Sequence, residues 1–253
     1  MNHVLREIGR LRLALAFLTR LPVGGSRWSP GDYRGSLLWF PVVGAAIGLL
    51  QGTVAWAAAR FLPAPVAAAL TVAAGVLLSG GLHLDGLMDT ADGLASGRPP
   101  REALEVMRDS AVGAYGIMAV CLVLLLQYSA ALSLLNLDYS LLAGIYTSIV
   151  TLSRASLVSA ICLHPYARSQ GLGSAFRGSG KREAVGAWVT SALVCVALCR
   201  RWGPVLLAGS LALALTYGFR MARVFGGLTG DMYGALAEIE ATILLLVAVA
   251  LWT

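Results

Sequence analysis

Long uncharged stretches dominate the hydrophobic pattern of the chain. Residues 35–59, 61–82, 111–135 and 202–219 contain no Asp, Glu, Lys or Arg. A helix that spans a bilayer needs roughly 20 such residues. The pattern predicts seven spans, at 35–59, 64–84, 111–135, 140–163, 184–200, 203–219 and 234–252. Pro63 and Pro65 mark the first turn between spans, and Asn136 and Asp138 the third. Pro41, Gly44 and Gly48 predict an irregular first span. Residues 3–20 read differently. Arg6, Arg10, Arg12 and Arg20 interrupt their apolar positions, which predicts an amphipathic helix on the membrane surface rather than a cleaved signal peptide.

Composition supports this picture. Apolar residues make up 58% of the chain and charged residues 13%, against about 25% charged in an ordinary soluble domain. The expected fold is all-α: a polytopic integral membrane protein of about seven transmembrane helices plus the N-terminal amphipathic helix. One integral membrane domain is expected over 1–253, without internal repeats. Cys121, Cys162, Cys195 and Cys199 all fall in or at the ends of apolar runs. Cys195 and Cys199 are one helical turn apart but have no His or further Cys near them in sequence, so they read as packing residues.

The net charge of +6 needs no nucleic acid to explain it. Fifteen of the basic residues fall in the N-terminal segment, including Arg27 and Arg34, and in the even-numbered loops, from Arg98 to Arg108, Arg168 to Arg182, and Arg220 with Arg223. Only Arg60, Arg200 and Arg201 fall on the other side. Arg154 lies within a span. The excess of positive charge on one side predicts a cytoplasmic N-terminus, cytoplasmic even loops and an external C-terminus.

The acids carry the candidate chemistry. Eight of thirteen lie in or beside the second and sixth loops. Asp85, Asp89 and Asp92 continue directly from the second apolar span at spacings of i, i+4 and i+7. On a helix these offsets differ by only about 40° and −20°, so all three face one way. Their mutual repulsion calls for a cation, and dense hard oxygen ligands suit Mg²⁺, with Mn²⁺ as a substitute. Glycines 80, 81, 86 and 93 leave room for a substrate to approach. His83 is placed to cap or hydrogen-bond an aspartate. The next helix carries Glu102, Glu105 and Asp109 on one face, flanked by Arg101 and Arg108. Arg108 and Asp109, which abut the third span, are the stronger functional candidates there. Arg223 and Asp231 flank the sixth loop, and Glu238 enters the last span, where an ionisable residue is a functional candidate by default. Arg154 reads equally as a structural ion-pair partner or a phosphate ligand. Acids for a divalent cation beside arginines for phosphates suit phosphoryl transfer to an alcohol, with a carboxylate as general base.

The run GGLHLDGLMDTADGL, residues 80–94, resembles the signature of the cobalamin synthase family, the adenosylcobinamide-GDP ribazoletransferases. Further blocks resemble the family in order: Phe17–Val23, which contains Arg20, Phe40–Gly44, Met107–Ser110, Tyr166–Gly173 and Gly226–Asp231. Met88, Met232 and Tyr233 depart from the family pattern without removing an acid. The resemblance implies an Mg²⁺-dependent enzyme of the bacterial inner membrane, with its N-terminus and active site cytoplasmic. Its hydroxyl substrate is α-ribazole or α-ribazole 5′-phosphate. Attack on adenosylcobinamide-GDP forms adenosylcobalamin or its 5′-phosphate and releases GMP. Asp89-Thr-Ala-Asp92-Gly93 is also similar to the start of the CDP-alcohol phosphatidyltransferase motif, which implies metal roles for Asp89 and Asp92; Asp85 is added on helix geometry. The general base stays open between Asp109 and Asp231, with Arg20, Arg108, Arg154, Arg223 and Glu238 as candidate substrate ligands. Two rival readings are a lipid enzyme of the CDP-alcohol type and an ion-coupled transporter. The one-sided placement of the acids argues against the transporter. The expected partners are small-molecule substrates and the lipid bilayer, with no nucleic acid, and a homo-oligomeric state is left open.

Overall fold

A computed structural model describes residues 3–23 and 28–253, except for the Leu172 side chain. Arg27, counted above with the cytoplasmic bases, lies outside the described residues. The architecture is all-helical. In chain order the α-helices are α1 (His3–Leu18), α2 (Pro30–Ser36), α3 (Phe40–Phe61), α4 (Ala64–Ser79), α5 (Leu82–Ala95), α6 (Pro100–Val106), α7 (Ala114–Leu134), α8 (Tyr139–Leu163), α9 (Lys181–Cys199), α10 (Gly203–Phe225) and α11 (Gly230–Trp252).

Each predicted span coincides with a helix. By length and apolar composition, five described stretches can cross a membrane, and a sixth if α4 and α5 count as one broken span. The difference from seven has a local cause. Helix α4 has only 16 residues, and 181–225 runs as one apolar stretch although a 3-10 turn at Arg200–Trp202 separates α9 from α10.

Helix α8 is the axis of the bundle. Every residue from Leu142 to Ile161 is buried, whereas only 17% of the apolar window of α7 is. Helix α7 therefore lies on the outside of the bundle and α8 at its centre. Two threonines of α8 satisfy their hydroxyls within the helix, while Ser159 accepts from Trp188 of α9 at 2.6 Å. Thr147 donates to the Ala143 carbonyl at 2.7 Å and Thr151 to the Thr147 carbonyl at 2.6 Å.

Helix α3 packs on α8 through Gly44, Gly48 and Gly52. A Cβ at Gly44 would lie 2.9 Å from the Val150 carbonyl oxygen, and one at Gly52 would lie 2.7 Å from the Ala143 Cα. Small residues at four-residue spacing allow backbones in a membrane to come this close. The irregularity expected of the first span lies at its start, in a 3-10 turn at Leu37–Trp39, and not at the glycines. Helix α3 is continuous over 22 residues, with Pro41 in its first turn, where proline fits.

One correction concerns the aspartate run, which does not continue the second span in a straight line. Gly80 and Gly81 have φ of 66° and 72°, a left-handed conformation in which residues with a Cβ are strained. They end α4, and α5 leaves at 89° to it. Asp85, Asp89 and Asp92 thus stand on a separate helix.

Helix α5 lies against α11 at close range. A Cβ at Gly86 would sit 2.6 Å from the Asp231 carbonyl oxygen, and one at Gly234 would sit 3.0 Å from the His83 Cα. At the same end, a short parallel bridge joins Tyr166 to Leu228. The Ala167 amide donates to the Leu228 carbonyl and the Leu228 amide to the Pro165 carbonyl, both at 2.9 Å. This ties the loop after α8 to the start of α11. Phe17 of α1 docks on Phe40 and Phe176, with ring centroids 5.5 and 5.0 Å away, and anchors the N-terminal helix beside that junction.

Candidate active site

The junction of α5, α11 and the loop after α8 encloses a cavity of about 200 Å³. Its polar lining comprises His83, Asp85, Tyr166, Arg168 and Asp231, with Gly86, Gly171, Gly230 and Gly234 keeping the walls low. Phe17 of α1 covers one side. A larger cavity, about 680 Å³, opens at the other end of the bundle between Asp138, Arg200, Arg201 and Trp252. It holds one carboxylate and none of the sequence-predicted residues, so the smaller cavity is the better candidate.

Each acid of the site is positioned by a helix. Asp85 is one turn into α5. Asp89 follows one turn later and stands within electrostatic reach of Asp231, Asp85 and Arg168. Asp231 sits in the first turn of α11. Its Oδ2 lies 2.7 Å from Arg168 Nη1, with both side chains largely shielded from solvent. Among the described residues, neither Asp85 nor Asp89 has a hydrogen-bond or ion-pair partner. Three carboxylates therefore share one guanidinium in a partly buried site, and acid outweighs base there. Burial pushes the Tyr166 phenol above its usual value, so it stays protonated on the cavity wall.

His83 is only 2% exposed and both its ring nitrogens lack a partner. The expected hydrogen bond to an aspartate is not made, although the ring does line the cavity.

Asp92 faces elsewhere. Its Oδ2 accepts the Gly113 amide and its Oδ1 the Gly116 amide, each at 2.8 Å. These N–H groups open α7 and have no partner within that helix. A carboxylate placed there from α5 also complements the positive end of the α7 dipole. The structure thus gives Asp92 a helix-anchoring task that its spacing did not reveal. Seven residues along α5 separate it from Asp85 by about 10 Å, enough to carry it past the cavity while it keeps the same face.

Other candidates are dispersed. Asp109 is exposed and accepts the Ala111 amide at 3.0 Å. It closes the turn after α6 and does not line the cavity. Arg108 beside it and Arg223 at the end of α10 are exposed as well. Arg20 lies over the α4–α5 break, since a Cβ at Gly80 would collide with its stem. Arg154 and Glu238 belong to a different place. They line a void of about 50 Å³ inside the bundle, with Gln51 and Gln127. Gln127 Nε2 donates to Glu238 Oε2 at 3.0 Å, and Arg154 donates to the Ser153 hydroxyl at 3.0 Å. Glu240, two residues after Glu238, is fully buried and accepts from Ser210 at 2.5 Å. Cys195 and Cys199 are buried and free, as packing residues would be.

Sequence reasoning missed Arg168 as a site residue. It counted Arg168 among the cytoplasmic bases, and the available signal was its place inside the Tyr166–Gly173 block.

Among the described residues, no group of three or more His, Cys, Asp or Glu stands ready to hold a metal ion. The donor chemistry nevertheless fits Mg²⁺. This ion is commonly held by one or two carboxylates plus substrate phosphates, not by an all-protein cage, and Asp85 and Asp89 are two unpartnered carboxylates on one helix face.

A sequence model of the family described as cobalamin-5-phosphate synthase matches residues 10–249. The chain is 36% identical over 248 residues to an adenosylcobinamide-GDP ribazoletransferase of Brevibacillus brevis, covering 94% of this chain and 97% of that one. It is 40% identical over 249 residues to the protein of that name from Ectopseudomonas mendocina, covering 95% and 98%. It is 34% identical over 238 residues to that of Escherichia coli K12, covering 92% and 96%. No solved structure matches the chain.

Proposed function

Because the chain belongs to the cobalamin-5-phosphate synthase family, we propose that it is an adenosylcobinamide-GDP ribazoletransferase that works by Mg²⁺-assisted phosphoryl transfer. The hydroxyl of α-ribazole, or of its 5′-phosphate, forms a bond to the cobinamide-side phosphorus of adenosylcobinamide-GDP. The bond from that phosphorus to the GMP oxygen breaks, and GMP leaves.

The observation that carries this reading is the acid-rich cavity: Asp85 and Asp231 line it with Arg168, and Asp89 stands within electrostatic reach one turn along α5. Asp85 and Asp89 would hold the metal, which would offset charge on the phosphate oxygens. Arg168 suits a diphosphate oxygen, because its planar guanidinium can donate two parallel hydrogen bonds. Its move from Asp231 to the substrate frees the Asp231 carboxylate, which then accepts the proton of the attacking hydroxyl. Asp231 is favoured over Asp109 as the base because Asp231 lines the cavity and Asp109 does not. Tyr166 and the glycines shape the walls.

The lipid-phosphotransferase and transporter readings lose their basis, since the family match covers most of the chain. The cavity lies at the end of the bundle that carries the basic loops. The positive-inside rule supports a cytoplasmic placement of this end, and the family supports a bacterial inner-membrane location.

The test is GMP release from adenosylcobinamide-GDP and α-ribazole phosphate by purified, lipid-reconstituted protein, with Mg²⁺ and with EDTA. Metal-dependent release, lost in Asp89→Asn, is expected. Release that EDTA leaves unchanged would remove the metal from the proposal. No release at all would overturn the activity.

A further inference from the structure

A second charged cavity, of about 300 Å³, lies between the N-terminal segment and the start of α9. Arg6 and Arg10 of α1, Arg34 of α2 and Arg182 of α9 converge on it. Its floor is the glycine pair Gly31 and Gly35, one turn apart on α2. A Cβ at Gly31 would come within 3.3 Å of Arg6 Nη2, and one at Gly35 would collide with the Arg10 guanidinium. The two glycines therefore let the Arg6 and Arg10 guanidiniums lie close against α2 at the edge of the cavity.

The acids nearby are already engaged. Glu7 pairs with Arg10 and accepts from Trp39 Nε1 at 3.1 Å. Asp32 accepts the Ser29 amide at 3.1 Å and lies 3.5 Å from Arg6. Glu183 accepts the Gly180 amide at 3.0 Å. Arg34 reaches only the carbonyls of Pro30 and Gly178, each at 3.5 Å. Arg182 has no ion pair among the described residues, and the Arg10 Nε is buried without a partner. Four guanidiniums thus meet three carboxylates, which leaves an excess of positive charge and one buried donor facing the cavity. Converging guanidiniums are suited to a phosphate.

The apolar surroundings identify the source of that phosphate. Helix α1 exposes Val4, Leu5 and Ile8, the apolar side of a helix that lies in the membrane interface. From Arg182, helix α9 runs on with Val185, Val189 and Leu193 exposed at four-residue spacing. An anion seated among the arginines would have an apolar track leading from it into the bilayer. We propose that this pocket binds the headgroup phosphate of an anionic phospholipid, whose acyl chain lies along Val185, Val189 and Leu193.

The test is native mass spectrometry of detergent-purified protein titrated with phosphatidylglycerol or phosphatidylcholine. Wild type is expected to retain phosphatidylglycerol preferentially, and excess inorganic phosphate should not displace it. Each basic side chain near an anionic lipid contributes about a factor of five, so Arg34→Gln/Arg182→Gln should weaken retention roughly 25-fold. Gly31→Val keeps every charge but fills the cavity, and it should also lose the lipid. That result separates a shaped site from general positive charge. Equal retention of the two lipids, or undiminished retention in both variants, would overturn the proposal. So would displacement by inorganic phosphate, which would mark a site for a free anion.

Discussion

Arg168 Nη1 stands 2.7 Å from Asp231 Oδ2, although one residue lies in the loop after α8 and the other in the first turn of α11. The backbone bridge between Tyr166 and Leu228 brings them together. The pair closes the acid cavity, and on the proposed mechanism it opens when substrate arrives. Arg168→Ala should lower kcat/KM for GMP release by about 100-fold or more, in the range found for loss of one donor to transition-state charge. Arg168→Lys should recover only part of this, because a lysine lacks the planar fork. An unchanged kcat/KM in Arg168→Ala would exclude Arg168 from phosphate binding.

Asp92 and Asp89 should behave differently, though they lie on the same helix face. Asp92→Ala strips two N–H groups at the start of α7 of their acceptor, and it should cost about 0.5–2 kcal/mol of stability, as loss of a helix cap does. Asp89→Asn should leave the melting temperature nearly unchanged and abolish GMP release. Thermal unfolding in detergent, run beside the activity assay, separates the two. A full loss of activity in Asp92→Ala without any loss of stability would return Asp92 to the metal site.

Arg154 and Glu238 lie inside the bundle, in a void apart from the acid cavity. Glu238→Gln should be mild, since an amide oxygen can still accept from Gln127. Arg154→Ala should lower the melting temperature, because a buried polar group left unpartnered costs about 1–3 kcal/mol. Neither should shift KM for adenosylcobinamide-GDP. A large rise in KM with an unchanged melting temperature would show that Arg154 reaches substrate.

Gly48 lies at the closest point between α3 and α8, where a Cβ would press on the Tyr146 carbonyl and the Thr147 Cα. Gly48→Val should separate the two helices, and overpacking of this kind costs roughly 1–3 kcal/mol. Lower yield of folded protein on size-exclusion chromatography is the expected readout. A normal elution profile and melting temperature would show that α8 can shift to make room.

Local pattern decided much of this protein. The uncharged runs placed the helices, because bilayer length and backbone hydrogen bonding constrain each segment by itself. The arginine-studded first 20 residues identified the amphipathic helix α1, and the Asp85–Asp92 spacing identified one face of α5. The run 80–94 also carried the family resemblance, since it is contiguous in sequence.

What was not legible depended on which segments meet. The sequence shows Gly80 and Gly81 but not the 89° turn they permit, which takes α5 out of line with α4. It shows Gly44, Gly48 and Gly52, but the partner helix α8 is needed to reveal that they form a packing stripe. Asp92 and Asp85 have the same chemistry and phase, yet one meets the amides of α7 and the other the cavity. Arg168 was one basic loop residue among several until the Tyr166–Leu228 bridge set it against Asp231. Periodicity is a property of a single helix and can be read along the chain. A side chain's partner depends on contacts between distant segments, and only the packed bundle decides those.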